Sequence, residues 1–137
     1  MGMQQEIIAA LGVKPVIDVE AEIRRRVDFL KEYVKKAGAS GLLIAISGGV
    51  DSAAAAALCK RATDELTAET GREYMTLGVF QPYHRQEDIE DSYLVAQALG
   101  LKHTVETNIG DAVDEIALEV EHAFKALGRP RHLSKEA

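Results

Sequence analysis

Apolar residues recur along this chain in two rhythms, one with a helical period and one of short unbroken runs. Residues 3–11 read as a short helix that runs into Gly12, after which Pro15 marks an extended connector. Asp18 is placed to cap a second helix, with Glu20 and Glu22 in its first turn, where the helix dipole favours acids. Ile23, Val27, Leu30 and Val34 then form one apolar stripe, and Lys35, Lys36 and Gly38 close the helix.

Residues 42–46 are consecutive apolar positions, the pattern of a strand buried on both faces. Ser47, Gly48 and Gly49 interrupt the run, and an alanine-rich helix begins at Asp51. Met75–Phe80 reads as a second strand, and 86–99 as a helix with Ile89, Tyr93, Ala96 and Leu99 on one side. A weaker third strand over 103–107 and a helix over 110–127 follow. Strands separated by helices imply right-handed crossovers, so the predicted class is α/β, a parallel sheet with helices on both faces. Three strands are few for a doubly wound sheet. Arg129, Arg131 and Lys135 lie in a terminal stretch with no strand after it. Residues 1–137 are therefore expected to form a single domain that is the N-terminal part of a longer one, incomplete at its C-terminus.

Charge sharpens the functional question. Acids outnumber bases 22 to 16, for a formal net charge of −6, which excludes a broad electrostatic footprint for nucleic acid. An anionic ligand must be held by a local device. The single cysteine, Cys59, rules out an internal disulfide and a multi-thiolate zinc site. No apolar run approaches the length of a membrane span, and the N-terminus lacks a basic region followed by a long apolar one. The expected location is the cytoplasm, without a membrane partner.

Residues 47–52, Ser-Gly-Gly-Val-Asp-Ser, stand where the first strand ends and a helix begins. Open α/β sheets bind ligands in that crevice. Gly48 and Gly49 are free to take positive φ and admit a ligand close to the backbone. Amides at the start of the helix, reinforced by its dipole, favour an anion there, and Ser47 and Ser52 add hydroxyl donors. The string lacks the lysine of the common Gly-x-x-x-x-Gly-Lys-Ser/Thr loop and the spacing of Gly-x-Gly-x-x-Gly. Its charged member is Asp51, which beside a pyrophosphate needs a cation between them. A hard divalent ion, Mg2+ foremost, takes carboxylate and phosphate oxygens together. The plainer alternative is a turn followed by an ordinary helix cap.

This string resembles the pyrophosphatase loop of the N-type ATP pyrophosphatases, a group that includes NAD, GMP, asparagine and argininosuccinate synthetases and tRNA-thiolating enzymes. Residues 4–15, 20–33 and 65–71, and Pro82-Tyr83 with Gln86 and Asp88, are similar to the ammonia-dependent NAD synthetases in particular. The resemblance implies a Rossmann-like fold of the adenine-nucleotide-hydrolase type. In it Ala45, Ile46, Ser47, Gly48, Gly49, Val50, Asp51 and Ser52 would wrap ATP, with Asp51 as a ligand of Mg2+. It further implies substrate contacts from Tyr33, Tyr83 and Gln86, Tyr33 serving deamido-NAD near the interface of a homodimer. It assigns no catalytic side chain beyond the ATP loop. With no glutaminase segment ahead of these residues, free ammonia is the expected nitrogen donor. Two departures stand out: Phe80-Gln81 occupies a place where that family often has Arg-Leu, and His84 a place where it often has glycine.

Two other readings compete. A tRNA-thiolating member of the group would want a basic surface and catalytic cysteines, against the net charge and the lone Cys59. A non-catalytic ATP-binding module would have no use for a metal-binding acid at the pyrophosphate. His84, His103, His122 and His132 show no metal-ligand spacing. Cys59 reads as a small core hydrophobe, and Arg24, Arg25 and Arg26 as a solvated helix face.

Overall fold

Capping residues set the first boundaries. The Asp18 carboxylate accepts a hydrogen bond from the Ala21 amide at 3.1 Å and opens the second helix, while Gly12 and Gly38, at φ 62° and 64°, end the first two in left-handed turns. The computed structural model describes residues 2–14 and 16–129, so Pro15, Arg131, His132 and Lys135 lie outside the described residues. The elements run α1 (Met3–Leu11), α2 (Val19–Ala37), β1 (Gly41–Ala45), α3 (Val50–Thr70), β2 (Met75–Phe80), α4 (Ile89–Ala98), β3 (His103–Glu106) and α5 (Gly110–Ala126). The sheet has the order β1-β2-β3 and is parallel throughout.

Alternation along β2 puts Thr76, Gly78 and Phe80 on one face. Thr76 bonds to Thr63 of α3, and Phe80 packs with Ile46, Ala96 and Tyr93 of α4. Both helices therefore cover the same face, as two right-handed crossovers advancing in one direction require. A Cβ at Gly78 would come within 2.9 Å of Ile46 Cδ1 and 3.1 Å of Leu101 Cδ1, so that face is filled to the backbone. On the opposite face Leu43 is 66% exposed and Ala45 is also exposed. The double burial expected for residues 42–46 thus holds on the α3 side alone, because β1 is an outer strand of the described sheet and its covering helices lie on one side.

A second layer lies outside the first. α2 packs on α3 through Val27 and Val34, both fully buried, and an ionic cluster rims the contact. Arg24 donates to both carboxylate oxygens of Glu65, at 2.9 and 2.8 Å, and Lys31 and Arg61 reach the same group at 3.0 and 3.3 Å. Arg24, with Lys31 and Arg61, holds the Glu65 carboxyl down at about 2. Arg25 and Arg26 both pair with Glu22, so the arginine run is a paired helix face. Cys59 is buried among the helices, and that burial raises its thiol pKa.

Two outcomes are expected. Thr63 Oγ1 donates to the Lys60 carbonyl at 3.0 Å, so in its buried 2.9 Å contact with Thr76 it accepts. Thr63→Val orphans the Thr76 hydroxyl and should cost about 1–3 kcal/mol in urea unfolding. Thr76→Val should cost less, and the double variant should recover part of the loss; a double variant as weak as Thr63→Val would refute this account. Acid should also loosen the α2–α3 rim. A depressed carboxyl pKa contributes stability above its ordinary 4.5 and loses it as pH falls toward about 2. Glu65→Gln should flatten the melting-temperature profile across that window, as differential scanning fluorimetry would record.

Candidate functional site

At the end of β1, Ile46 continues the ladder by donating to the Val79 carbonyl at 2.9 Å, and the chain then turns sharply. Gly48 has φ 81°, a region that residues with a Cβ rarely occupy. A Cβ there would also lie 3.0 Å from Asp91 Cβ and 3.2 Å from the Ser92 amide, so the turn is pressed against the first turn of α4. Gly49 differs. It is the N-cap of α3 with φ −80° and ψ 162°, an extended conformation open to any residue. The expectation of positive φ holds for Gly48 alone, because a residue that caps a helix is extended.

The two serines knit the turn together. Ser52 Oγ donates to the Gly49 carbonyl at 3.0 Å and accepts from the Ser47 amide at 3.2 Å. The Ser47 and Ser52 hydroxyls lie 2.9 Å apart. Their protons are engaged within the turn, so these side chains shape the cradle instead of lining it with free donors. The first α3 bond from the cap runs from the Ala53 amide to the Gly49 carbonyl at 3.1 Å. The Val50, Asp51 and Ser52 amides consequently have no acceptor inside the helix. They lie at the C-terminal edge of the sheet, where a parallel sheet offers its ligand crevice, with the dipole of α3 behind them. Asp51 stands exposed in the same turn.

Among the described residues no group of three or more His, Cys, Asp or Glu could hold a metal ion. A protein cage is therefore absent from the described part. One carboxylate beside a row of amides fits Mg2+, which keeps several waters and shares phosphate oxygens with its ligand.

A second loop borders the crevice at the end of β2. Its register with the chain after β3 continues beyond the strands, through Thr107 amide to Phe80 carbonyl at 2.8 Å and Ile109 amide to Pro82 carbonyl at 3.0 Å. Tyr83 donates its hydroxyl proton to Asp114 at 2.9 Å, and Gln86 donates to Asp88 at 2.8 Å. Tyr33 lies elsewhere: it is 61% exposed on α2, and its ring neighbour is Phe29, with centroids 6.1 Å apart. The described residues thus bring residues 45–52 and the Tyr83–Gln86 loop to one edge of the sheet and leave Tyr33 on an outer helix. Sequence reasoning missed Asn108 and Asp114. Asn-Ile-Gly before a helix is a turn signal, but nothing in the spacing ties it to a loop more than twenty residues earlier.

A cavity of about 290 Å³ lies at the other end of the sheet, lined by Lys60, Thr67, Tyr74, Gly100 and His103. Ligands of open parallel sheets bind at the carboxyl ends of the strands, where the Ser-Gly-Gly turn is. Among the described residues no helix is long and apolar enough to cross a membrane.

Comparison with known proteins gives the family of the chain. The NAD synthase family model matches residues 22–130. The NH(3)-dependent NAD(+) synthetase of Exiguobacterium sibiricum is 49% identical over 111 residues, covering 81% of this chain and 41% of that protein. The corresponding synthetase of Bacillus thuringiensis is 43% identical over 122 residues, 89% of this chain and 44% of its own. Among solved structures, NAD+ synthetase from Burkholderia pseudomallei superposes with a TM-score of 0.73 at 26% identity, covering 87% of this chain and 43% of that one. The chain thus spans less than half the length of the curated relatives it matches. A family-model match across most of its length, with a fold shared with a solved NAD+ synthetase, places this chain in the NAD synthase family.

Proposed function

We propose that the protein containing these residues makes NAD from deamido-NAD and ammonia in the cytoplasm, driven by cleavage of ATP to AMP and pyrophosphate. The observation that carries this reading is the turn of residues 47–52 in a chain of the NAD synthase family: a positive-φ Gly48 pressed on α4, and in the first turn of α3 three amides without an acceptor inside the helix and one exposed acid, Asp51. Residues 45–52 wrap the ATP phosphates. Backbone amides suit this acidic protein, since they hold an anion without adding net charge. Asp51 holds Mg2+ together with phosphate oxygens, and the bound ion offsets the charge of the departing pyrophosphate. Tyr83 and Gln86 belong to the loop that walls the nucleotide site.

The reaction balances in two steps. The nicotinate carboxylate attacks the α-phosphorus, and the bond to the β-phosphate bridge breaks, giving an acyl-adenylate and pyrophosphate. Ammonia then adds to the acyl carbon, AMP leaves with the bond electrons, and a proton passes to solvent. No general base among residues 45–52 is required, since positioning and fixed amide dipoles supply the stabilisation. Tyr33 holds the deamido-NAD side near the interface of a homodimer. An exposed aromatic pair, Tyr33 with Phe29, supports that role, because rings of this size on a helix surface serve as stacking and interface anchors.

The complete protein, given ATP, Mg2+, deamido-NAD and ammonium, should form AMP and NAD in equal amounts by mass spectrometry; ADP in place of AMP would overturn the proposal. Asp51→Asn should lower turnover by roughly 100-fold or more, in line with the loss of one transition-state contact, with circular dichroism unchanged. Undiminished turnover would remove Asp51 from the metal.

A further inference from the structure

Among the described residues His84 is the one non-glycine residue with positive φ, at 49°. A residue with a Cβ holds such a conformation only where its surroundings over-determine it. Here they do so three times. The Asn108 side-chain amide pairs with the His84 backbone like a rung of sheet, accepting from its amide at 3.1 Å and donating to its carbonyl at 2.7 Å. The same Asn108 oxygen accepts from the Gly110 amide at 3.0 Å. The His84 ring bonds through Nε2 to Asp114 Oδ2 at 2.9 Å, on the carboxylate whose other oxygen takes the Tyr83 hydroxyl proton. Finally, the ring fills the space that the missing side chain of Gly110 leaves free: a Cβ at Gly110 would lie 2.6 Å from His84 Cε1 and Cγ.

We propose that His84 is a positioning residue, which with Asn108, Gly110 and Asp114 latches the loop of residues 82–88 to the start of α5 and so presets the wall of the nucleotide crevice. The proposal rests on the ATP reading above. Its part here is positional: Nε2 is engaged by Asp114 and Nδ1 faces Gly110, with Asp111 3.9 Å away. Its effect reaches the site through the chain itself. The latched loop leads directly into α4, and the first turn of α4, at Asp91 and Ser92, is what Gly48 packs against. Freeing the loop frees the surface that holds the Ser-Gly-Gly turn in place.

Glycine at this position separates latch from fold. His84→Gly relieves the positive φ while deleting the ring and its Asp114 bond, so the complete protein should melt close to the wild-type temperature. It should nevertheless bind Mg-ATP roughly tenfold more weakly by calorimetry, the scale of a lost hydrogen bond to a charged group. Gly110→Ala, which expels the ring, should weaken binding to a similar degree, and His84→Gly with Gly110→Ala should be no worse than either alone. Wild-type affinity in His84→Gly, or losses that multiply in the double variant, would overturn the latch. If the wild-type protein binds no ATP, the ATP reading fails by itself. The latch is then decided without nucleotide by amide exchange at Ile109 and Gly110, which His84→Gly should speed roughly tenfold; unchanged exchange would overturn it.

Discussion

The ligand end of this sheet depends on one geometric constraint: α3 and α4 must share a face. Successive crossovers from β1 to β2 and from β2 to β3 advance in the same direction, and right-handedness then leaves both helices on one side. Crowding follows, and small residues relieve it. Ala56 and Ala62 let α3 lie close, with no exposed surface left to either. Gly78 makes room for Ile46 and Leu101, and Gly48 for the first turn of α4. The glycine that would open the turn to the proposed nucleotide is therefore the same glycine that lets α4 dock. Packing and ligand access are one requirement at that residue.

Electrostatics is organised to match. With a net charge of −6, the chain places its basic residues where they fasten helices: Arg24, Lys31 and Arg61 converge on Glu65, and Arg25 and Arg26 on Glu22. Under the proposed function, the attraction of the crevice for an anion comes from amides and the α3 dipole. Such a device is short in range and insensitive to pH. In the proposed site, the Asp51 carboxylate beside a bound phosphate would call for a cation between them, the role given there to Mg2+.

Much of this was legible in the residues. Gly12, Asp18 and Gly38 mark boundaries that the structure keeps, because capping is local chemistry. The strand Met75–Phe80 stands at its expected bounds, and the Ser-Gly-Gly turn lies between strand and helix as the pattern required. What remained hidden is what depends on partners distant in sequence. An apolar run such as 42–46 reads the same whether or not a layer covers its second face, so the exposure of Leu43 left no trace. Ser92 is fully buried beside the Gly48 turn, yet a serine within a helix carries no signal of it. The partners of Tyr83 and His84 lie about thirty residues downstream, beyond any local rule.

His84 shows how a departure from a family pattern becomes intelligible once backbone geometry is known. A position that resembling sequences often fill with glycine is one where positive φ is required, and histidine meets the requirement at a conformational cost of about 1–2 kcal/mol. That cost is offset locally by the Asn108 rung and the Asp114 bond. Gly110 completes the exchange, since it is the residue whose lack of a Cβ admits the imidazole ring. The same turn could be reached by glycine at 84 with a larger residue at 110, which would satisfy the backbone but leave the loop without the imidazole bond to Asp114. Histidine at 84 replaces conformational freedom with a specific set of contacts. The loop beside the proposed nucleotide crevice is thereby held by side-chain chemistry as well as by the sheet.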